Sequence, residues 1–164
     1  MAEQVFPTKG NLMRARKTLA LCRLGYDLMD RKRNILIREM MQLMDKAKSL
    51  RNSIEDTYKE AYAALQDANI TLGVIDKIAR SVPIEDGITV TYRSVMGVDI
   101  PNVYLERKKV DVPYGFYYTN SQLDKAYVSF SKVKDMTVLL AEVDNSIYRL
   151  ATAIKKAHRR ANAL

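Results

Sequence analysis

The sequence contains no tryptophan, one cysteine and one histidine. Cys22 alone forms no intrachain disulfide, and with His158 it is too little for a zinc site within one chain. Four prolines and six glycines in 164 residues are few, so turns are rare and elements are long. No apolar run approaches the ~20 residues of a membrane span, and no secretory signal pattern opens the chain. Neither the phosphate-cradling G-x-x-x-x-G-K-[ST] run nor a G-x-G-x-x-G turn occurs. The carboxylates are scattered, and spacing alone selects no acid–base pair. The expectation is a soluble protein of a reducing compartment with no catalytic, cofactor or metal site of its own.

The 27 Lys and Arg against 19 Asp and Glu give a net charge of +8, unevenly spread. Residues 1–38 hold nine basic side chains and three acids, and residues 155–164 hold four and none. The intervening 39–154 carry 14 basic and 16 acidic residues, so all the positive excess lies at the two chain ends. Such a distribution suits a nucleic-acid binder, a membrane-surface binder or an insert into an acidic protein cavity; a solvated helix face is the plain alternative.

Prolines at 7, 83, 101 and 113 divide the chain into two long segments around a short, punctuated middle. The first long segment repeats every seven residues. Position a runs Leu12, Leu19, Tyr26, Arg33, Met40, Ala47, Ile54, Ala61, Ala68, Ile75, Val82. Position d runs Ala15, Cys22, Met29, Leu36, Leu43, Leu50, Thr57, Ala64, Thr71, Ile78. Only Arg33, Thr57 and Thr71 interrupt the apolar seam, which makes this a coiled-coil pattern rather than an ordinary amphipathic helix. Gly25 and Gly73 each cost about 1 kcal/mol relative to Ala and are expected to be carried within a rod of roughly 105 Å.

The second segment repeats the pattern, with Ala126, Val133, Leu140, Ile147, Ile154 and Ala161 at a, and Ser129, Met136, Val143, Leu150, Ala157 and Leu164 at d. Ser121 with Asp124 has capping-box spacing at its start, and no stop signal precedes Leu164. His158 falls at an e-type position and reads as a solvated histidine; Cys22, at d, reads as a small core hydrophobe. In between, the alternating β-branched run from Ile88 to Val95, a Met96-Gly97 turn and the return from Asn102 to Arg107 predict a β-hairpin capping the helical pair, with Pro101 at an edge or just before the second strand. The aromatic run from Tyr114 to Tyr118 is read as packing at the junction of rod and hairpin. The fold class is all-α dominated: a long antiparallel two-helix coiled coil with a small inserted hairpin. It forms a single elongated domain over 1–164, with a first helix over 8–82, a hairpin region over 83–118 and a second helix over 119–164.

Three stretches carry a family resemblance: Pro7-Thr-Lys-Gly-Asn-Leu12, the block from Arg23 to Met40 (RLGYDLMDRKRNILIREM), and His158-Arg-Arg-Ala-Asn-Ala-Leu164. Together they resemble the D subunit of the vacuolar/archaeal-type rotary ATPases over essentially the whole chain, with the Arg23–Met40 block the specific part. Family members usually continue the second helix beyond the Arg-Arg-x-Asn-Ala-Leu segment, so the resemblance implies a chain shortened at its C-terminus. It implies a non-catalytic central-stalk axle that couples ATP hydrolysis or synthesis in the A/B hexamer to proton or sodium transport. Its partners are the catalytic A and B subunits, the small central-stalk F subunit and the subunit joining the axle to the membrane ring. The implied location is cytoplasmic and peripheral to the membrane, with no nucleic acid, no direct membrane insertion and no cofactor.

Within that frame the candidate headpiece contacts are Arg31, Lys32, Arg33, Arg38, Lys155, Lys156, Arg159 and Arg160. The candidate partner-facing or regulatory residues of the hairpin are Tyr92, Arg93, Tyr104, Glu106 and Arg107. Without the resemblance, the heptads alone equally suit a structural scaffold or adaptor, and the basic ends a coiled-coil nucleic-acid binder. If Val82 faces Thr119 across the seam, Leu164 faces Leu36, and residues up to about 35 protrude as an unpaired helix.

Overall fold

A computed structural model describes residues 6–106 and 113–163. Helix α1 runs Lys9–Leu72, followed by a short α2 (Asp76–Ala79), strands β1 (Ile88–Val95) and β2 (Val98–Leu105), a 3-10 turn (Phe116–Tyr118) and helix α3 (Ser121–Ala163). The two long helices pack antiparallel, so the basic N-terminal part of α1 and the basic end of α3 lie toward the same extremity of the rod.

The seam follows the heptads. Every buried residue of α1, namely Leu36, Ala47, Ile54, Ala61, Ala64 and Ala68, stands at an a or d position, as do six of the eight in α3. Alanine recurs along the seam, at 47, 61, 64, 68, 126, 157 and 161, which lets the two backbones approach closely. The polar seam residues are satisfied locally. Thr57 donates to the Ser53 carbonyl at 2.8 Å and contacts Met136 Sδ at 3.3 Å. Thr71 Oγ1 lies 3.1 Å from the Asp67 carbonyl and accepts from Asn120 Nδ2 at 2.8 Å. Neither threonine leaves an orphaned hydroxyl inside the rod.

The first helix is shorter than its heptads suggest. It ends at Leu72, where Gly73 adopts φ 74° and its N–H returns to the Asn69 carbonyl at 2.9 Å. The heptad pattern continues through Ile75, Ile78 and Val82 without the α1 helix, because a positive φ at glycine closes the last turn at little cost. Ile75 and Ile78 instead fold back onto a cluster formed by Ala68, Tyr114 and Leu123.

That early stop resets the pairing. Thr71, not Val82, meets the start of α3, Arg51 meets Asp144 at 3.1 Å, and Leu36 packs on Leu150 rather than near Leu164. The seam therefore extends into the stretch expected to lack a partner. Cys22 and Met29 are half-buried, Ala157 and Ala161 are buried, and Arg33 lies beside the paired region with its charge on Asp30. The part of α1 around Leu12, Ala15 and Leu19, with Leu21 and Leu24 beside it, keeps a run of exposed apolar side chains.

The start of α3 also differs in detail. Asn120 caps it, its Oδ1 accepting the Leu123 N–H at 3.0 Å. Asp124 is engaged elsewhere, accepting the Tyr114 hydroxyl at 2.7 Å. Tyr114 is buried, edge-on to Tyr127 with centroids 5.7 Å apart. The other aromatics of the run are outside any core: Phe116 is 74%, Tyr117 88% and Tyr118 78% exposed. Of the aromatic run, Tyr114 alone takes part in the junction packing.

Candidate functional site: a docked hairpin beside a basic rod end

The hairpin does not cap the far end of the rod. It lies along α3 and points its turn toward the basic extremity. Met96 and Gly97 both have positive φ, 52° and 74°, as a two-residue type I′ turn requires. Gly97 does this freely; Met96 is strained there. The register pairs Val95 with Val98, Tyr92 with Pro101 and Ile88 with Leu105. In such a ladder Asp99, Pro101, Val103 and Leu105 direct their backbone groups outward, away from β1. Pro101 therefore lies inside β2 with no ladder bond lost.

That outward edge of β2 is what α3 covers. Val103 N–H donates to Glu142 Oε2 at 2.8 Å, and Arg149 donates to the Asp99 carbonyl at 3.1 Å. The Arg149 guanidinium also lies 5.1 Å from the Tyr92 ring centroid, a cation–π distance. Ile100 drives the attachment by inserting, 1% exposed, between Leu36 and Leu150, with Val95 and Val98 packed around it. Arg93 reaches α1 and pairs with Glu39 at 2.6 Å. At the base, Lys134 pairs with Glu85. A two-stranded hairpin is marginal alone; here it is bolted to both helices.

The candidate hairpin residues thus separate. Tyr92 and Arg93 are part of the attachment, Tyr104 is exposed, and Glu106 closes the strand base through its N–H to the Gly87 carbonyl at 2.9 Å. Arg107 lies outside the described residues. Sequence reasoning missed the helix side of the clamp. Glu142 and Arg149 stand one heptad apart on a single face of α3, and that spacing of polar side chains away from the seam was the available signal.

The candidate basic residues separate as well. Lys32, Lys156 and Arg160 line an open groove of about 470 Å³ between the hairpin turn and the two helices. Arg31, Arg38, Lys155 and Arg159 are solvent-facing, and Arg33 is engaged with Asp30. His158 is exposed, 3.4 Å from Asn162 Nδ2. Among the described residues no cluster of His, Cys, Asp and Glu could hold a metal ion, and no helix is long and apolar enough to cross a membrane.

A family model for the D subunit of ATP synthases matches residues 11–164. The chain belongs to that family. It is 40% identical to the V-type ATP synthase D subunit of Thermotoga neapolitana over 162 residues, covering 98% of this chain and 80% of the relative. Against the A-type ATP synthase D subunit of Pyrococcus abyssi the identity is 33%, covering 98% and 78%. Against that of Methanobrevibacter smithii it is 35%, covering 96% and 71%. Membership of the D-subunit family makes the chain one component of a multi-subunit rotary ATPase, and its charge and packing are to be understood as those of a part.

Proposed function

We propose that this chain is the central rotor axle of its ATPase, transmitting torque between nucleotide chemistry in an A/B headpiece and proton or sodium movement in the membrane. The small F subunit and the subunit seated on the membrane ring hold its other end. The observation that carries the reading is an antiparallel coiled coil, in a member of the D-subunit family, whose two basic ends share one extremity. Heptad packing fixes the rotational register of the two helices, so a twist applied at one end reaches the other. An axle does no chemistry; it biases the conformations of subunits that do.

The basic extremity suits insertion into the headpiece. Long Lys and Arg chains offer attraction with modest geometric demand, which lets the contact be made and broken as the axle turns. On this reading Arg31, Lys32, Arg38, Lys155, Lys156, Arg159 and Arg160 face the headpiece, and the complex is cytoplasmic and peripheral to the membrane. Mixing the chain with the A, B and F subunits of its own source, then resolving the complexes by gel filtration, tests it. Co-elution with an A/B hexamer and F is expected. A chain that elutes alone, or that instead retards DNA with a steep salt dependence, overturns the axle in favour of a scaffold or a nucleic-acid binder.

A further inference from the structure

The two edges of the hairpin differ. Helix α3 covers the outer edge of β2, whereas β1 is exposed along nearly its whole length. The register that turns Asp99, Pro101, Val103 and Leu105 outward on β2 turns Ile88, Val90, Tyr92 and Ser94 outward on β1. Among the described residues no hydrogen bond engages the outward N–H and C=O groups of these four. The usual protections of an edge are missing as well: β1 holds no proline, no lysine and no bulge. Its one charge, Arg93, is drawn to Glu39 on α1. On one face of the strand Ile88, Val90 and Tyr92 are 46%, 48% and 59% exposed.

This edge is complementary to itself. Two copies of β1 set antiparallel about Thr91 pair Val90 with Tyr92 and Ile88 with Ser94, each pair exchanging both backbone bonds. On one face Val90 of each copy meets the Tyr92 ring of the other. On the other face Thr91 meets Thr91 and Arg93 meets Thr89, so no like charges are opposed. The charge of the rods agrees with such pairing. Contacts from Asp99 to Arg149 and from Val103 to Glu142 match about 13 Å of strand to about 10 Å of helix, so the hairpin runs nearly parallel to α3. Rods joined through β1 therefore run antiparallel, with their basic extremities at opposite ends. The hairpin spans the rod between Glu39, which Arg93 reaches, and Lys134, which Glu85 reaches. The basic stretch of each rod then points toward residues 55–67 of the other, where Glu55, Asp56, Glu60 and Asp67 outweigh Lys59.

We infer that β1 is a docking edge for a second copy of this chain. Free chains pair through it into one continuous antiparallel sheet, centred on Thr91, that joins the two hairpins. Each open edge is satisfied by the same edge of the other copy, while β2 keeps its contacts with α3. The hairpin is already held to the rod by Ile100, Glu142 and Arg149, so the edge is preformed and little ordering is needed to use it. The pairing is a property of the free chain and stands apart from the axle reading. A strand from another protein could add to the same edge, but only self-pairing places Thr91 opposite Thr91.

The test uses the full chain alone. A contact confined to one strand edge is small and therefore weak, so analytical ultracentrifugation at about 100 μM should show a dimer that dissociates on dilution. In a Cys22→Ser background, Thr91→Cys should form an intermolecular disulfide under mild oxidation at least roughly tenfold faster than Thr89→Cys. The facing pair at 91 holds its Cα atoms about 4.5 Å apart, within disulfide range, whereas the two residues at 89 lie about 13 Å apart along the strands. Val90→Pro removes an outward N–H without touching the ladder to β2, as Pro101 does on the other strand, and should abolish the dimer. Should that variant lose its fold by circular dichroism, Val90→Lys must weaken the dimer at least roughly tenfold. A chain that stays monomeric at that concentration overturns the proposal. So does equal linking at 89 and 91, or a dimer indifferent to the Val90 variants.

Discussion

Truncating Ile100 to alanine isolates what holds the hairpin to the rod. The side chain is buried between Leu36 and Leu150, far in sequence from both. Ile→Ala at such a site costs about 2–5 kcal/mol through lost burial and the cavity left behind. The remaining tethers are polar. Val103 to Glu142 and Arg149 to Asp99 each involve a charged group and are worth up to about 1.5–3 kcal/mol, and the solvent-facing Arg93–Glu39 pair about 0.2–1 kcal/mol. Ile100 is therefore the largest single contribution to the attachment, comparable with the polar tethers together. Its loss should raise the population of the detached, melted hairpin by about 30-fold to several thousand-fold, since each 1.4 kcal/mol is a factor of ten.

Native-state hydrogen exchange measures this directly. The ladder amides of Thr89, Thr91 and Arg93 on β1, and of Ile100, Asn102 and Tyr104 on β2, should lose protection by that factor. Amides of α3 between Ala126 and Val138 should change far less, because they pair with α1 through a seam that Ile100 does not touch. Equal loss in hairpin and helix would refute the reasoning, since it would mean that the hairpin opens only when the whole rod unfolds. No loss at all would place the attachment in the polar tethers.

Tyr114→Phe should destabilise the chain by about 1 kcal/mol in chemical denaturation, because it removes one hydrogen bond to a carboxylate that is exposed and rehydrates. Burial, and then the bond to Asp124, hold the Tyr114 hydroxyl well above the usual phenol value. Its stabilisation is thus fully present below about pH 10, the unfolded value, and is lost as pH rises through the folded one. The gap between wild type and variant should accordingly narrow on raising the pH above 10; a gap independent of pH there would show that the hydroxyl titrates as freely folded as unfolded. In the isolated chain, amides before about residue 22 of α1 should exchange rapidly while those of 40–68 stay protected, because a helix without a seam partner is marginal in water. Equal protection of both stretches in a proven monomer would require a cover for Leu12 and Leu19 that the pairing does not supply.

The seam was legible because burial and heptad position have one cause: a residue facing the partner helix must be apolar, and the repeat marks which residues face it. The register was not. A heptad fixes which face is buried, not which turn of one helix meets which turn of the other. That offset was set by a single backbone event, the reversal at Gly73. Glycine in a helix interior and glycine as a terminator look alike in a sequence whose apolar spacing continues past it. Reading through Gly73 shifted the pairing by about ten residues and turned a seam that reaches Met29 into one that stops near Leu36. The first strand and the turn were legible from β-branching and Met96-Gly97, whereas β2 begins at Val98, four residues before the expected Asn102, because Pro101 stands at an outward-facing position where it costs no ladder bond.

The direction in which the hairpin folds was hidden for a related reason. A hairpin inserted between two antiparallel helices can extend the rod or double back along it, and alternation within the strands is the same in both cases. The choice is made by single long-range contacts: Ile100 into the Leu36–Leu150 gap, Glu142 onto the free N–H of Val103, and Arg149 onto the Asp99 carbonyl. Pro101 contributes by what it lacks. On an outward-facing position it leaves β2 with one donor fewer to satisfy against the helix, so a single carboxylate and a single guanidinium suffice to cover that edge. The charge excess at the chain ends, read as a property of two helix termini, thereby gains a wall from the middle of the sequence. The groove exists only because the hairpin folds back, and its cations belong to the rod while its wall belongs to the hairpin.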